Sequence, residues 1–249
     1  MLAFWEGTLG LAATTRSDGS VGLAPAGASD PLLVLEPDPD APDPPRGASG
    51  LYHVALLLPN RSALGRAYGV LQAGGAGRFF VGASDHRVSE ALYFQDPEGN
   101  GLELYADRPR TSWRWSNDEL VMTTDPLDVE GLLREAGAGA ASGPALPAGT
   151  LVGHVHLRVG DLGRAGAFYR DRLGMEVTVS SYPGALFLSW AGYHHHLGLN
   201  VWGAGARVRP PAGARGLIGW QVRFADAGSG GAQEETLEDP DGVRVRVFA

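Results

Sequence analysis

The chain has no cysteine, so neither a disulfide nor a thiolate metal site can exist in it. It has no lysine either, and arginine carries all 20 of its basic charges against 28 aspartates and glutamates. The formal net charge is -8 with no basic run, which argues against a nucleic-acid partner. No apolar run reaches the roughly 20 residues that a membrane helix needs. The opening MLAFWEGTLG lacks the basic n-region and long apolar stretch of a secretory signal. A soluble, cytoplasmic protein with no membrane partner is the expectation. Hydrophobic residues make up 44% of the chain, enough for a packed core, and Gly 37 with Pro 17 imply many turns.

What is present is histidine, and it is grouped. All seven histidines fall in four short segments. These are His53 in LYHVAL, His86 in SDHRVSE, His154 and His156 in GHVHLRV, and His194, His195 and His196 in GYHHHLGLN. Neutral imidazole is the commonest metal ligand near neutral pH, so the grouping points to a metal.

Two of those segments belong to an internal repeat. AFYRDRLGMEV from Ala167 echoes AFWEGTLGLAA from Ala3. DPEGNGLELYA from Asp96 echoes DPDGVRVRVFA from Asp239, and GLYHVALLLP from Gly50 echoes GLIGWQVRFAD from Gly216. The chain thus reads as four related modules, covering residues 1–37, 50–106, 151–202 and 216–249. In the third, LVGHVHLRV alternates as a strand does. Asp161 then caps an amphipathic helix over LGRAGAFYRDRL that ends at Gly174. MEVTVSSY, ALFLSW and HHHLGLNVW read as three more strands, giving βαβββ. The second module reads alike, with DPEGN as a hairpin turn in which Gly and Asn supply positive φ. The outer modules are incomplete: the first begins in its helix, and the fourth runs through AGSGG to EETLED with little or no helix. Between the halves, PLDVEGLLREAG suggests a short helix followed by an Ala/Gly/Pro linker. The expected organisation is a domain over 1–110, a linker over 111–148 and a domain over 149–249.

Paired βαβββ modules with such turns resemble the vicinal oxygen chelate superfamily, which includes glyoxalase I, bleomycin-resistance proteins and extradiol dioxygenases. GLYHVALLLPNRSALG, GASDHRVSEALYFQDPEGNGLELYADRPR, GHVHLRVGDLGRAGAFYRDRLGMEV and AGYHHHLGLNVW look most like its CatE-like catechol 2,3-dioxygenase group. The resemblance covers nearly the whole chain. It implies an α+β fold of paired βαβββ modules forming two cup-shaped mixed sheets, with the outer modules incomplete. It also implies that ligands come from first and last module strands. That yields His53 and Glu103 from the second module and His154 from the third, with His156 as a competitor on the same strand face. The fourth module offers Gly219 or Trp220 opposite His53, and Arg246 opposite Glu103, so it cannot supply them. The inner modules would then pair around the metal, and the outer modules would form a metal-free pair.

Two histidines and a carboxylate are the ligand set of a non-haem iron(II) oxygenase. The resemblance therefore implies Fe(2+), with Mn(2+) as an alternative, and a ring-cleaving reaction on a catechol-type aromatic with O2. His196, Tyr93 and His86 are the catalytic candidates that go with it, with Asp85 orienting the His86 ring. His194, Asn200 and Trp202 are the substrate-binding candidates, and Tyr105 is a further pocket residue. Each has a purely structural alternative, as a core tyrosine, a surface loop or a polar strand end. Competing readings of the whole are another metal-dependent lyase or isomerase of the superfamily, and a non-enzymatic small-molecule binding or resistance protein. A glyoxalase-type site would draw a further Glu from the strand that here reads HHHLGLN, which offers none. A homodimer is one quaternary option that the resemblance leaves open.

Overall fold

The computed structural model describes residues 1–137, 143–203, 208–224 and 234–248. Two compact units are distinguished. The first comprises Met1–Pro39 with His53–Val155, and the second Asp40–Tyr52 with His156–Ala249.

The first unit opens with a π-helical segment, Ala3–Thr8, followed by β1 (Ala12–Thr15), β2 (Val21–Ala24) and β3 (Leu33–Leu35). These three strands form an antiparallel meander. Next come β4 (Gly50–Leu57), α1 (Arg61–Ala73), β5 (Phe80–Asp85), β6 (Ser89–Gln95) and β7 (Gly101–Asp107), the βαβββ order expected of the second module. A small hairpin of β8 (Trp115–Ser116) and β9 (Glu119–Leu120) follows, then α2 (Val129–Ala136) and β10 (Leu151–Arg158). The Ala/Gly/Pro stretch expected as a linker falls partly on residues 138–142, outside the described residues.

Local chemistry explains the helices. Asn60 caps α1 by accepting from the Ala63 N–H, and Asp128 caps α2 by accepting from the Gly131 N–H, each satisfying an amide that has no partner within its helix. Ala63, Leu64, Ala67 and Leu71 lie on the buried side of α1.

Alternation along the strands separates two faces. β4 pairs in parallel with β7, which pairs antiparallel with β6, and β6 with β5. On one face Val54, Leu56, Leu92, Phe94, Leu102 and Leu104 join a core that also takes Phe4, Trp5, Leu11 and Leu23 from the incomplete first module. On the other face stand His53, Ala55, Ala91, Tyr93, Glu103 and Tyr105, the apolar members forming a small cluster of their own. The core therefore fixes the strands, and the opposite face is left for the polar residues.

The second unit contains α3 (Leu162–Leu173), β11 (Glu176–Val179), β12 (Ala185–Ser189), β13 (Leu197–Asn200), β14 (Gly219–Arg223), β15 (Glu234–Glu238) and β16 (Arg244–Phe248). Asp161 caps α3, and Gly174, at φ 64°, ends it in the left-handed region, where glycine carries no Cβ penalty. β11, β12 and β13 form an antiparallel set. β14 runs parallel to β16, and β15 antiparallel to it, repeating the arrangement of β4, β7 and β6. In that register Ala55 faces Glu103 and Gln221 faces Arg246, so Gly219, two residues earlier, stands where His53 stands. The Gly/Ser-rich stretch and the missing helix expected there fall on 225–233, outside the described residues.

Two local expectations are corrected. His194, His195 and His196 lie in the turn before β13 rather than on a strand, because Ala191 and Gly192 take positive φ values of 52° and 62° and reverse the chain. In the DPEGN turn only Gly99 has positive φ, at 85°. Asn100 is instead tied to Asp96, donating from its backbone to Oδ1 and from Nδ2 to Oδ2. Asp239 repeats the first of these bonds by accepting from the backbone of Asp241 and Val243.

Candidate metal centre

Three strands of the first unit bring His53, Glu103 and His154 together. β4 and β7 carry the first two, two residues out of register, and β10 carries the third at the fourth of its eight residues. His53 Nε2 lies 3.0 Å from Glu103 Oε2, and His154 Nε2 lies 3.3 Å from the same oxygen. The two Nε2 atoms are 3.3 Å apart. All three side chains are buried, with residue exposures of 6%, 3% and 3% in chain order.

A bare cluster of this kind carries an internal conflict. If both imidazoles donate to Glu103, their N–H groups point into one another's space. A cation between the three atoms removes the conflict and is the usual company of a buried carboxylate. The three atoms lie close enough together for one cation to reach them all, and two histidines with one carboxylate are a known divalent-metal ligand set. Among the described residues this is the group of three or more such side chains that could hold a metal, and His156 is not part of it. Burial alone would push the Glu103 carboxyl up. The adjacent His154 and His53 outweigh burial and hold it well below the usual carboxylate range, so it is an anion at neutral pH, as a ligand must be.

Tyr93 stands directly across from Glu103 in the β6–β7 pair, and its ring centroid is 5.8 Å from that of His53. Its Oη lies 2.7 Å from His86 Nε2. The other ring nitrogen of His86 lies 2.6 Å from the Thr123 carbonyl oxygen. Asp85 does not orient His86, contrary to expectation. Its carboxylate is captured by Arg108, whose Nη2 lies 2.6 Å from Oδ2 and also 3.0 Å from the buried Glu90. Burial would raise the Asp85 carboxyl, but the Arg108 guanidinium lowers it overall. Tyr105, fully buried, packs its ring against His154 in a tilted arrangement, with ring centroids 5.0 Å apart.

The remaining candidates belong to the second unit. His196 accepts at Nδ1 from the Trp190 backbone N–H, 3.2 Å away, which leaves the proton on Nε2 in the neutral ring. Its ring lies against Trp190 and Tyr193. His194 is fully buried, its Nδ1 2.8 Å from Nδ1 of His195. Asn200, also fully buried, accepts at Oδ1 from the Trp202 backbone, and Trp202 donates its indole N–H to the Pro183 carbonyl. His156 meets Tyr52 and Trp202 edge-on or tilted. Sequence reasoning missed Thr123, and no local signal marks it. It also missed the close approach of Tyr105 to Gly153, where an added Cβ would stand 1.9 Å from the phenol oxygen.

Comparison with known proteins gives a consistent set of relatives. The family model described as Glyoxalase/Bleomycin resistance protein/Dioxygenase superfamily matches residues 1–104 and 151–224. A Bacillus subtilis (strain 168) protein named catechol-2,3-dioxygenase is 46% identical over 221 residues, covering 87% of this chain and 75% of that protein. Among solved structures, a provisionally named dioxygenase from Bacillus subtilis superposes with a TM-score of 0.59 at 14% identity. It is matched over 99% of this chain and 79% of that one. Glyoxalase I from Zea mays gives 0.51 at 15% identity, over 99% and 86%. At such identities the two structures speak for the fold alone.

Proposed function

The chain belongs to the Glyoxalase/Bleomycin resistance protein/Dioxygenase superfamily, and from that premise we propose that it is a metal-dependent extradiol dioxygenase opening a catechol-type aromatic ring with O2. The observation that carries this reading is the buried His53–Glu103–His154 cluster, with Tyr93 across the strand pair from Glu103. A divalent iron, or manganese, held by these three would keep coordination positions open for the two substrate oxygens and O2 and would supply the redox chemistry.

The chain's own residues have separate tasks. Glu103, held ionised, offsets the charge of a dication, while the core behind β4 and β7 keeps its strand from moving. Ala55, Ala91 and Tyr105 give the same face an apolar lining, which excludes water and suits an aromatic ring. Tyr93 places a phenol on the cluster's face, with its hydroxyl anchored on His86, where it can hydrogen-bond a substrate oxygen. His196, with its proton on Nε2, is proposed as an acid/base residue. His194, Asn200 and Trp202 are proposed as substrate-side residues.

The name of the Bacillus subtilis relative supports the same substrate class. A lyase or isomerase of glyoxalase type is less well supported, because β13 and the turn before it, Tyr193–Asn200, contain no glutamate. The test is anaerobic loading with Fe(2+) followed by catechol and O2. A yellow ring-opened product is expected, absent in Glu103→Ala. A metal-loaded protein that binds catechol and consumes no O2 would overturn the reading.

A further inference from the structure

The His86–Tyr93 pair is held by a stretch that belongs to none of the four repeat modules. The β8–β9 hairpin closes with the Val121 N–H donating to the Arg114 carbonyl, at 2.9 Å. The chain then runs back along the end of β5. Asp85 and Asp125 exchange both backbone hydrogen bonds, each 2.9 Å, as an isolated antiparallel bridge. The Thr123 hydroxyl donates to Asp125 Oδ2 at 2.8 Å, and Arg87 Nε donates to the same carboxylate at 3.1 Å. Arg87 itself sits at φ 67°, a left-handed conformation that residues with side chains rarely take, so the turn holding His86 is pinned from both sides.

The consequence is chemical. A backbone carbonyl only accepts hydrogen bonds. With His86 Nδ1 2.6 Å from the Thr123 oxygen, the proton of the neutral ring must sit on Nδ1. Nε2 then carries the lone pair, and the Tyr93 hydroxyl must donate to it across 2.7 Å. The other tautomer would set a bare nitrogen against the carbonyl oxygen and turn the Tyr93 proton outward.

We propose that Thr123 is a positioning residue: its carbonyl, clamped against β5 by the Asp85–Asp125 bridge, fixes the His86 tautomer and thereby commits the Tyr93 oxygen to accept a hydrogen bond from a substrate hydroxyl. The substrate side of this inference rests on the dioxygenase reading, whereas the tautomer does not. The substrate group it selects is a hydroxyl that still carries its proton, because a Tyr93 oxygen whose own hydrogen is spent on His86 can only accept.

The imidazole nitrogens report this directly in metal-free protein. Selective ¹⁵N-histidine labelling with long-range ¹H–¹⁵N correlation, at a pH where the ring is neutral, reads which nitrogen is protonated. His86→Gln identifies the signals. The wild-type ring is expected in the Nδ1–H form. Asp125→Pro removes the N–H that donates to the Asp85 carbonyl, and it should release the ring to the Nε2–H form. In the metal-loaded enzyme the same variant should lose about 10²-fold in kcat with KM within about threefold. A wild-type ring protonated on Nε2 overturns the proposal by itself, even where the proline variant does not fold, and so does a folded proline variant with an unchanged spectrum. An Nδ1–H ring in a protein that cleaves no catechol sinks the reaction reading and leaves the positioning role standing.

Discussion

Gly153 is the residue at which the architecture of the proposed metal cluster can be strained without touching a proposed ligand. It precedes His154 on β10, and its backbone is not in the left-handed region, so alanine is conformationally allowed there. Space is what forbids it. A Cβ at this position would lie 1.9 Å from Tyr105 Oη and 2.7 Å from Cζ. Non-bonded carbons settle near 3.5 Å or beyond, so the Tyr105 ring would have to retreat by about 1.5 Å. Tyr105 is fully buried and its ring packs on His154, so the retreat displaces the packing that orients a ligand. Overpacking of this kind costs about 1–3 kcal/mol, and a disturbed support of a ligand typically lowers metal affinity about 10–100-fold. Gly153→Ala should therefore lower the urea midpoint with an unchanged m-value and weaken metal binding in a competition titration. Adding Tyr105→Phe removes the nearest clashing atom and should restore part of both losses, giving a coupling energy in the double-mutant cycle. An alanine variant within about 0.5 kcal/mol of wild type and with unaltered metal affinity would refute the reasoning.

Three further outcomes are expected. Tyr93→Phe keeps the ring against His53 but loses the hydroxyl held by His86. Steady-state kinetics should show kcat lower by about 10²-fold with thermal stability unchanged, and an unaltered kcat would exclude a catalytic role. A metal held as proposed would bind the folded chain alone, so chelation should lower stability by about 2.7 kcal/mol relative to protein at a hundredfold excess over Kd. Calorimetry with and without chelator reads this, and coincident melting curves would contradict it. In the second unit, burial and then the neighbouring Asp239 charge push the Tyr169 phenol well above its ordinary value. A folded value above the unfolded one means stability that is intact below about pH 10 and is lost as pH rises past it. Tyr169→Phe should remove that alkaline loss. It should also cost about 1–3 kcal/mol at neutral pH, because Asp239 Oδ2 loses its 2.8 Å donor. Denaturant titrations from pH 7 to 11 check both, and an identical alkaline slope in the variant would contradict the assignment.

The parts of the molecule legible in the sequence are those where a repeat imposes a register. The family resemblance places His53 and Glu103 together, and the parallel pairing of β4 with β7 is what brings them close. The same register picks Gly219 over Trp220 as the silent counterpart in the fourth module. Strand alternation put Leu102 and Leu104 behind Glu103, and both are core residues. What was not legible depends on partners without a local pattern. Asp85 precedes His86 in the sequence, but Arg108 reaches it from the end of β7 with a charge that His86 cannot match. The true partner of the ring is a carbonyl 37 residues away, and backbone groups leave no trace in residue type. The HHH run followed strand-like residues, yet two consecutive positive-φ residues turn the chain before it, one of them an alanine that gives no warning.

The central claim is that His53, Glu103 and His154 hold one metal ion. Elemental analysis of protein purified anaerobically without an affinity tag, alongside Glu103→Ala and His154→Ala, tests it most directly. The account predicts about one equivalent of iron or manganese per chain in the parent protein. It predicts a near-complete loss in both variants, each still folded by circular dichroism. A parent protein that takes up no metal when offered Fe(2+) or Mn(2+), or a folded His154→Ala variant that keeps a full equivalent, would contradict it.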